Sequence, residues 1–274
     1  MYTEYQPSHL LVPYIDSYWE FKGNPDYGMR IHILPDGCTD FIFTLGEVAN
    51  AVEEGSLIMQ PYRSYFVGPM TKYSELVTYT ESIHMFGVRF LPCGLSCFTN
   101  LPLHEFVNSR VSTNEMKAVF DDTFIEKLGE QKHVTDRIRV VEEYLLAYLA
   151  RHYQPADSHV AMAVNMINHS KGKRSVRSLM DDVCLCQRHF ERKFKHYTGF
   201  TPKEYSRIVK FKNAVELLRT ATSANLLTTA VDAGYYDLAH FSKEIKSMSG
   251  NTPASFLSLT VPEETTLTYI EPQR

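Results

Sequence analysis

Two periodicities divide the chain. Between Ser17 and Phe90 apolar and aromatic residues fall in short runs separated by turn residues: Ser17 to Phe21, Met29 to Leu34, Thr39 to Leu45, Ser56 to Gln60, Ser64 to Gly68, Glu75 to Tyr79 and His84 to Phe90. In Thr39 to Leu45 the alternation is strict. Phe41, Phe43 and Leu45 point one way and Asp40, Ile42 and Thr44 the other, the period of a half-buried strand. Pro35-Asp36-Gly37 is a turn whose glycine supplies positive φ. Many short strands at this spacing predict an antiparallel sandwich or small barrel. From Glu115 onward the apolar spacing changes to three and four. Glu115 to Leu128 and Thr135 to Tyr153 read as helices, the second with Ile138, Val141, Leu145, Tyr148 and Leu149 as its stripe and Thr135 as its cap. That stripe is also a candidate surface for a second copy of the chain.

Gln154-Pro155-Ala156-Asp157-Ser158 is the expected linker, because proline ends the helix and the small polar residues begin no new core. Beyond it every periodic segment is helical: His159 to His169, a helix capped by Ser175, a turn at Cys184-Leu185-Cys186, and a helix opened by Gln187. Thr201-Pro202-Lys203-Glu204 is a capping box before a long helix to about Arg219. A second unit follows, with Asn225 as cap, Gly234 as stop and Asp237 capping a helix to Ser249. The stretch His189 to Tyr205 recurs 51 residues later as His240 to Phe256, with histidine, phenylalanine, lysine, glycine, threonine and proline in register. Each copy reads as a cationic helix, a left-handed glycine stop and a new helix opened by Thr-Pro. A helix, a tight turn and a second helix is the helix-turn-helix pattern. The expected organisation is therefore residues 1–153 as a sheet domain with helices at 115–153, a linker at 154–158, a helical module at 159–260 and a tail at 261–274.

Charge sharpens this division. The net charge is only −4, but Ala156 to Thr260 holds 15 Lys and Arg against 9 Asp and Glu, while the remainder holds 13 against 23. A basic module joined to an acidic domain is the footprint of a nucleic-acid binder carrying a second function. No apolar run approaches the roughly 18 residues that span a bilayer, and the first thirty residues hold no secretory pattern, so the chain is expected in the cytosol, away from membranes. Five cysteines, Cys38, Cys93, Cys97, Cys184 and Cys186, form no zinc-finger spacing, and no metal or cofactor is expected. In the sheet domain Asp36, Asp40, Arg63, His84 and Arg89 are the candidate ligand-binding residues, since charges in apolar strands need a partner or a ligand.

The motifs Val176-x-x-Leu179, His189-Phe190-x-Arg192-x-Phe194-Lys195, Gly199-Phe200-Thr201-Pro202-x-x-Tyr205, Ala230-x-x-x-Gly234-Tyr235, His240-Phe241-Ser242 and Gly250-x-Thr252-Pro253-x-x-Phe256 resemble the double helix-turn-helix domain of AraC/XylS-type bacterial transcription regulators. Tyr18-Trp19, Leu34-Pro35-Asp36-Gly37-Cys38-Thr39-Asp40, Gly68-Pro69 and Val88-Arg89-Phe90-x-Pro92-x-Gly94 are similar to the amino-terminal domain of one AraC-like subgroup. The resemblance implies a cupin-like α+β domain for a small-molecule effector or for dimerisation, then an all-α domain on double-stranded DNA, with RNA polymerase as partner for an activator. It places base contacts on Arg188, Glu191 and Arg192 in the first copy and on Leu238, Ala239, Ser242 and Lys243 in the second. Lys195, Lys246, Thr201 and Thr252 are the expected phosphate contacts. Departures from the family pattern are Cys186 for a cap serine, Thr229 for isoleucine, Ile245 for phenylalanine and Leu238-Ala239 for a polar pair. No enzyme is expected. Two alternatives stay open: a thiol-redox-sensing regulator using Cys93 with Cys97 or Cys184 with Cys186, and a DNA-targeted alkyl-transfer protein.

Overall fold

The computed structural model describes residues 2–25, 29–46, 51–52, 59–78, 82–116, 119–120, 122–183, 185–220, 226–258 and 268–271. Its strands are β1 (Tyr2–Tyr5), β2 (Ile15–Gly23), β3 (Met29–Ile33), β4 (Thr39–Thr44), β5 (Ala51–Val52), β6 (Ser64–Val67), β7 (Ser74–Thr78), β8 (Ile83–Phe90), β9 (Arg110–Ser112) and β10 (Thr268–Glu271). Its helices are α1 (Asp122–Gly129), α2 (Val134–His152), α3 (Ser158–His169), α4 (Val176–Val183), α5 (Gln187–Thr198), α6 (Pro202–Thr220), α7 (Leu226–Asp232), α8 (Leu238–Ser249) and α9 (Pro253–Ser258).

The strands form two open antiparallel sheets, ordered β1-β2-β8-β4-β6-β9 and β10-β3-β7-β5, so that of the two arrangements expected the open sandwich forms and the closed barrel does not. Period-two patterning fixes which face of a strand is apolar but says nothing about whether edge strands meet. The six-stranded sheet is apolar on both faces. Phe41, Phe43, Phe86, Val88 and Phe90 join a core completed by Phe124, Ile125 and Leu128 of α1 and Val141 and Leu145 of α2, while Trp19, Phe21, Ile42 and Met85 meet Ile31 of the smaller sheet. Helices, large sheet and small sheet thus make three layers. The α2 stripe offered above to a second copy is consumed in this core, with Val141 and Leu145 fully buried. Residues 268–271 return to the first domain, Thr268 opposite Ile33 and Glu271 opposite Arg30 at the edge of the small sheet. The predicted strand Ser56 to Gln60 lies mostly outside the described residues, and Gln60 itself is not in a strand.

The helical half forms around α6. Ten of its 19 residues are buried, because α3, α5, α7, α8 and α9 all pack on it. Helix ends follow the side chains expected to cap them. Thr201 N donates to Glu204 Oε2 at 2.7 Å and Glu204 N to Thr201 Oγ1 at 3.2 Å, so the capping box is closed. Asp237 accepts from His240 N at 2.7 Å, and Ser175 from Ser178 N at 3.1 Å. Asp157, assigned to the linker above, instead caps α3 by accepting from His159 N and Val160 N. Helix α2 begins one residue before Thr135, with His133 at its cap position and no side-chain bond there.

Candidate nucleic-acid interface

Phe190 and Phe194, one turn apart, turn the apolar face of α5 into the core, their rings meeting edge-on at 5.6 Å. The same geometry recurs in α8, where Phe241 and Ile245 are fully buried. The opposite faces are therefore presented outward. On α5 these carry Arg188, Arg192 and Lys195, all exposed, with Glu191 half-buried and accepting from Gln187 Nε2 at 2.9 Å. On α8 they carry Leu238, Ala239, Lys243 and Lys246, exposed, with Ser242 half-buried. Thr252 is exposed at the start of α9, whereas the half-buried Thr201 already spends its hydroxyl on the capping box. Tyr236, 92% exposed immediately before the Asp237 cap, joins Leu238 at the tip of the second unit. The motif reading passed over it.

Each reader is fastened to its surroundings by charge. Arg207 of α6 grips Glu244 of α8 with two bonds, Nε to Oε2 at 3.0 Å and Nη2 to Oε1 at 2.9 Å, the planar fork matching the carboxylate. Lys193 of α5 meets Asp157 at 2.6 Å, tying the first reader to the segment that joins the halves. That partnership, after the cost of burial, holds the Asp157 carboxyl below its usual range.

The two halves share a seam. Leu34 and Cys93 of the first domain belong to the same buried cluster as the helical core, and a Cβ on Gly37 would lie 2.7 Å from the Tyr205 ring. The 3-10 turn Leu103–Phe106 packs against α5 and brings His104 to 6.4 Å from His196, ring centre to ring centre. Burial, then the neighbouring His104, lowers the His196 pKa from its ordinary value.

Between the two sheets lies a cleft of about 60 Å³, walled by Trp19, Phe21, Ile31, Ile42 and Met85 and floored by Asp40 and Arg89. Gly87 makes room for it: a Cβ there would sit 1.9 Å from the Trp19 indole, which instead lies across β8 and donates Nε1–H to Asp40 at 2.7 Å. Arg89, opposite Asp40 in the β4–β8 ladder, also reaches Glu4 at 3.2 Å and Asp36 at 3.4 Å. Burial pushes the Asp40 carboxyl up to about 6, even against the pull of Arg89. The remaining expected ligand residues lie elsewhere. Arg63 is exposed outside the cleft, and His84 faces the helices, bonded at 2.9 Å to Glu20, which Arg137 of α2 also holds at 2.9 Å. Cys38, Cys93, Cys97 and Cys186 are free thiols; burial raises the first three, the reverse of what a thiolate sensor needs. Cys184 lies outside the described residues. Among the described residues no cluster of three or more metal-ligating side chains occurs, and no helix is long and apolar enough to cross a membrane.

Two helix-turn-helix units sharing one central helix, attached to a sheet domain with an internal cleft, define the class of the architecture. Residues 179–258 match the family described as a helix-turn-helix domain, and residues 3–112 match a domain of unknown function (DUF6597). The helical half is accordingly a helix-turn-helix domain. No curated protein matches the chain. Among solved structures, ToxT from Vibrio cholerae shares the fold with a TM-score of 0.52 and 10% identity, over 89% of this chain and 100% of that one. ToxT from strain SCE256 with an unsaturated fatty acid bound gives 0.51 and 12%, over 88% and 95%. A probable AraC family transcriptional regulator from Rhodopseudomonas palustris is 20% identical over 37% of this chain and 96% of that one, with a TM-score of 0.34.

Proposed function

We propose that the chain regulates transcription by reading two adjacent sites on one duplex, with a small molecule held in the cleft of the first domain as effector. The observation that carries this is the pairing of two outward-facing helices, built on the same buried grammar, on one shared strut. At about 1.5 Å per residue the 19 residues of α6 span about 28 Å, close to the roughly 34 Å between successive major-groove faces of B-DNA. Arg188 and Arg192, one helical turn apart, are suited to guanine edges, and Lys195 to the flanking phosphate. In the second unit Leu238 and Ala239 have no donor for a base edge. They suit thymine methyl groups, with Ser242 and Lys243 as the polar contacts and Lys246 and Thr252 toward the backbone.

The cleft supports the effector role. Its walls are apolar, and its polar groups gather at one end. ToxT, similar in fold, is known with an unsaturated fatty acid bound, and a molecule with an apolar body and one polar end fits this cleft in kind. RNA polymerase and a second copy of the chain are the further partners that this role implies.

Selection of random duplexes by the full chain tests the proposal. It should enrich a bipartite sequence whose halves are about one helical turn apart; enrichment no greater than that of a non-specific basic protein would refute it.

A further inference from the structure

Helices α5 and α8 end on glycines at equivalent places in the repeat, and both glycines rest on one short loop of the first domain. Gly199 closes α5 at φ 82° and Gly250 closes α8 at φ 77°, both left-handed. A Cβ at Gly199 would lie 2.5 Å from Pro69 Cγ, and one at Gly250 would lie 2.8 Å from Tyr73 Cζ. The two supports are only four residues apart in sequence. Their loop, Gly68 to Tyr73, is itself braced. Asn108, left-handed at φ 56°, accepts from Thr71 N at 2.8 Å, donates Nδ2–H to Thr71 Oγ1 at 2.8 Å, and donates its backbone N–H to Pro69 O at 2.8 Å. At the other end the Tyr73 ring stacks on buried His32 of β3 at 5.6 Å.

We infer that Pro69 and Tyr73 are positioning residues for DNA recognition: the Gly68 to Tyr73 loop sets the distance and angle between the two readers by holding each at its C-terminal end. The opposite, N-terminal ends carry Arg188, Arg192, Leu238 and Ala239 and are exposed, so the clamp leaves the reading surfaces uncovered. Each reader has 12 residues, about 18 Å of rigid rod, and a small shift at its foot is carried to the base-reading tip. Helix α6 joins the two units and packs on each, whereas the loop meets both helices at their C-terminal glycines. Met70 of this loop also lines the cleft between the sheets, and Met70, Lys72 and Tyr73 line the neighbouring hollow beside Asn108, so an effector there would act on the same six residues. The inference rests on the DNA-binding reading above.

The test compares full-length wild type, Tyr73→Ala, Tyr73→Phe and Asn108→Ala on the selected bipartite duplex and on the same duplex with one base pair inserted between its halves. Wild type and Tyr73→Phe, which keeps the ring, should prefer the original spacing at least tenfold. Tyr73→Ala and Asn108→Ala should prefer it less than threefold while binding an isolated half-site as wild type does. Asn108 is exposed, so its variant keeps the test alive if Tyr73→Ala fails to fold. A spacing preference present in wild type and unchanged in the variants that fold overturns the inference alone; a wild type that selects no duplex overturns the DNA-binding reading beneath it.

Discussion

The two helix-turn-helix units share a backbone plan and differ in almost everything they show to solvent. Both bury a residue pair at i and i+4, Phe190 with Phe194 and Phe241 with Ile245, and both stop at a left-handed glycine. Yet α5 presents two arginines and a lysine, while α8 opens with Leu238 and Ala239 behind an almost fully exposed Tyr236. The ends differ as well. Asp237 caps α8 with its side chain, and Cys186 at the same place on α5 makes no such bond. Keeping the buried positions preserves the frame and leaves the outward positions free to differ; in the function proposed above, one unit reads base edges by hydrogen bonds and the other by shape and methyl contact.

The largest expected effect follows from that split. Arg188→Ala should weaken binding to the selected duplex by about 1 to 3 kcal/mol and relax preference at one base position. Leu238→Ala should cost less and leave every guanine preference in place; competition titrations on single-base variants measure both. Next are the caps. Asp237→Ala should lower stability by about 1 kcal/mol, and Cys186→Ser should raise it by a smaller amount by supplying the missing acceptor, read from denaturant midpoints. Lys195→Ala should weaken binding to all sequences alike and reduce the slope of log affinity against log salt by about one.

The smallest effect lies at the seam. His196 has a folded pKa below its unfolded value, so the folded chain binds fewer protons there, and the contribution is present above the unfolded pKa and lost as pH falls through the window beneath it. Relative to His196→Gln, wild type should therefore lose stability on acidification below about pH 6.5, with Glu105 opposing and His104 reinforcing the change. Thermal melts at several pH values decide it, and a difference independent of pH would show that the histidine pair does not couple to folding.

Much of this was legible because it is local. The Thr201–Glu204 box, the Asp237 cap and the glycine stops each depend on residues within one turn of chain. The strand face of Asp40 also followed from parity. Parity could have separated His84 from Arg89, five residues apart on β8 and hence on opposite faces, had it been applied to the candidate ligand set. Other features had no local signal. Whether the sheets close depends on edges distant in sequence, and β10 pairs with a strand more than two hundred residues earlier. Nor could spacing show that Pro69, Tyr73, Gly37 and Leu103 meet the helical half, since those contacts exist only once both domains are folded.

Hydroxyl-radical footprinting of the full chain on its selected duplex tests most directly whether two outward helices on one strut read one stretch of DNA. Two protected patches about 10 base pairs apart on one face of the helix are the predicted result. A single patch, or two on opposite faces, would contradict it.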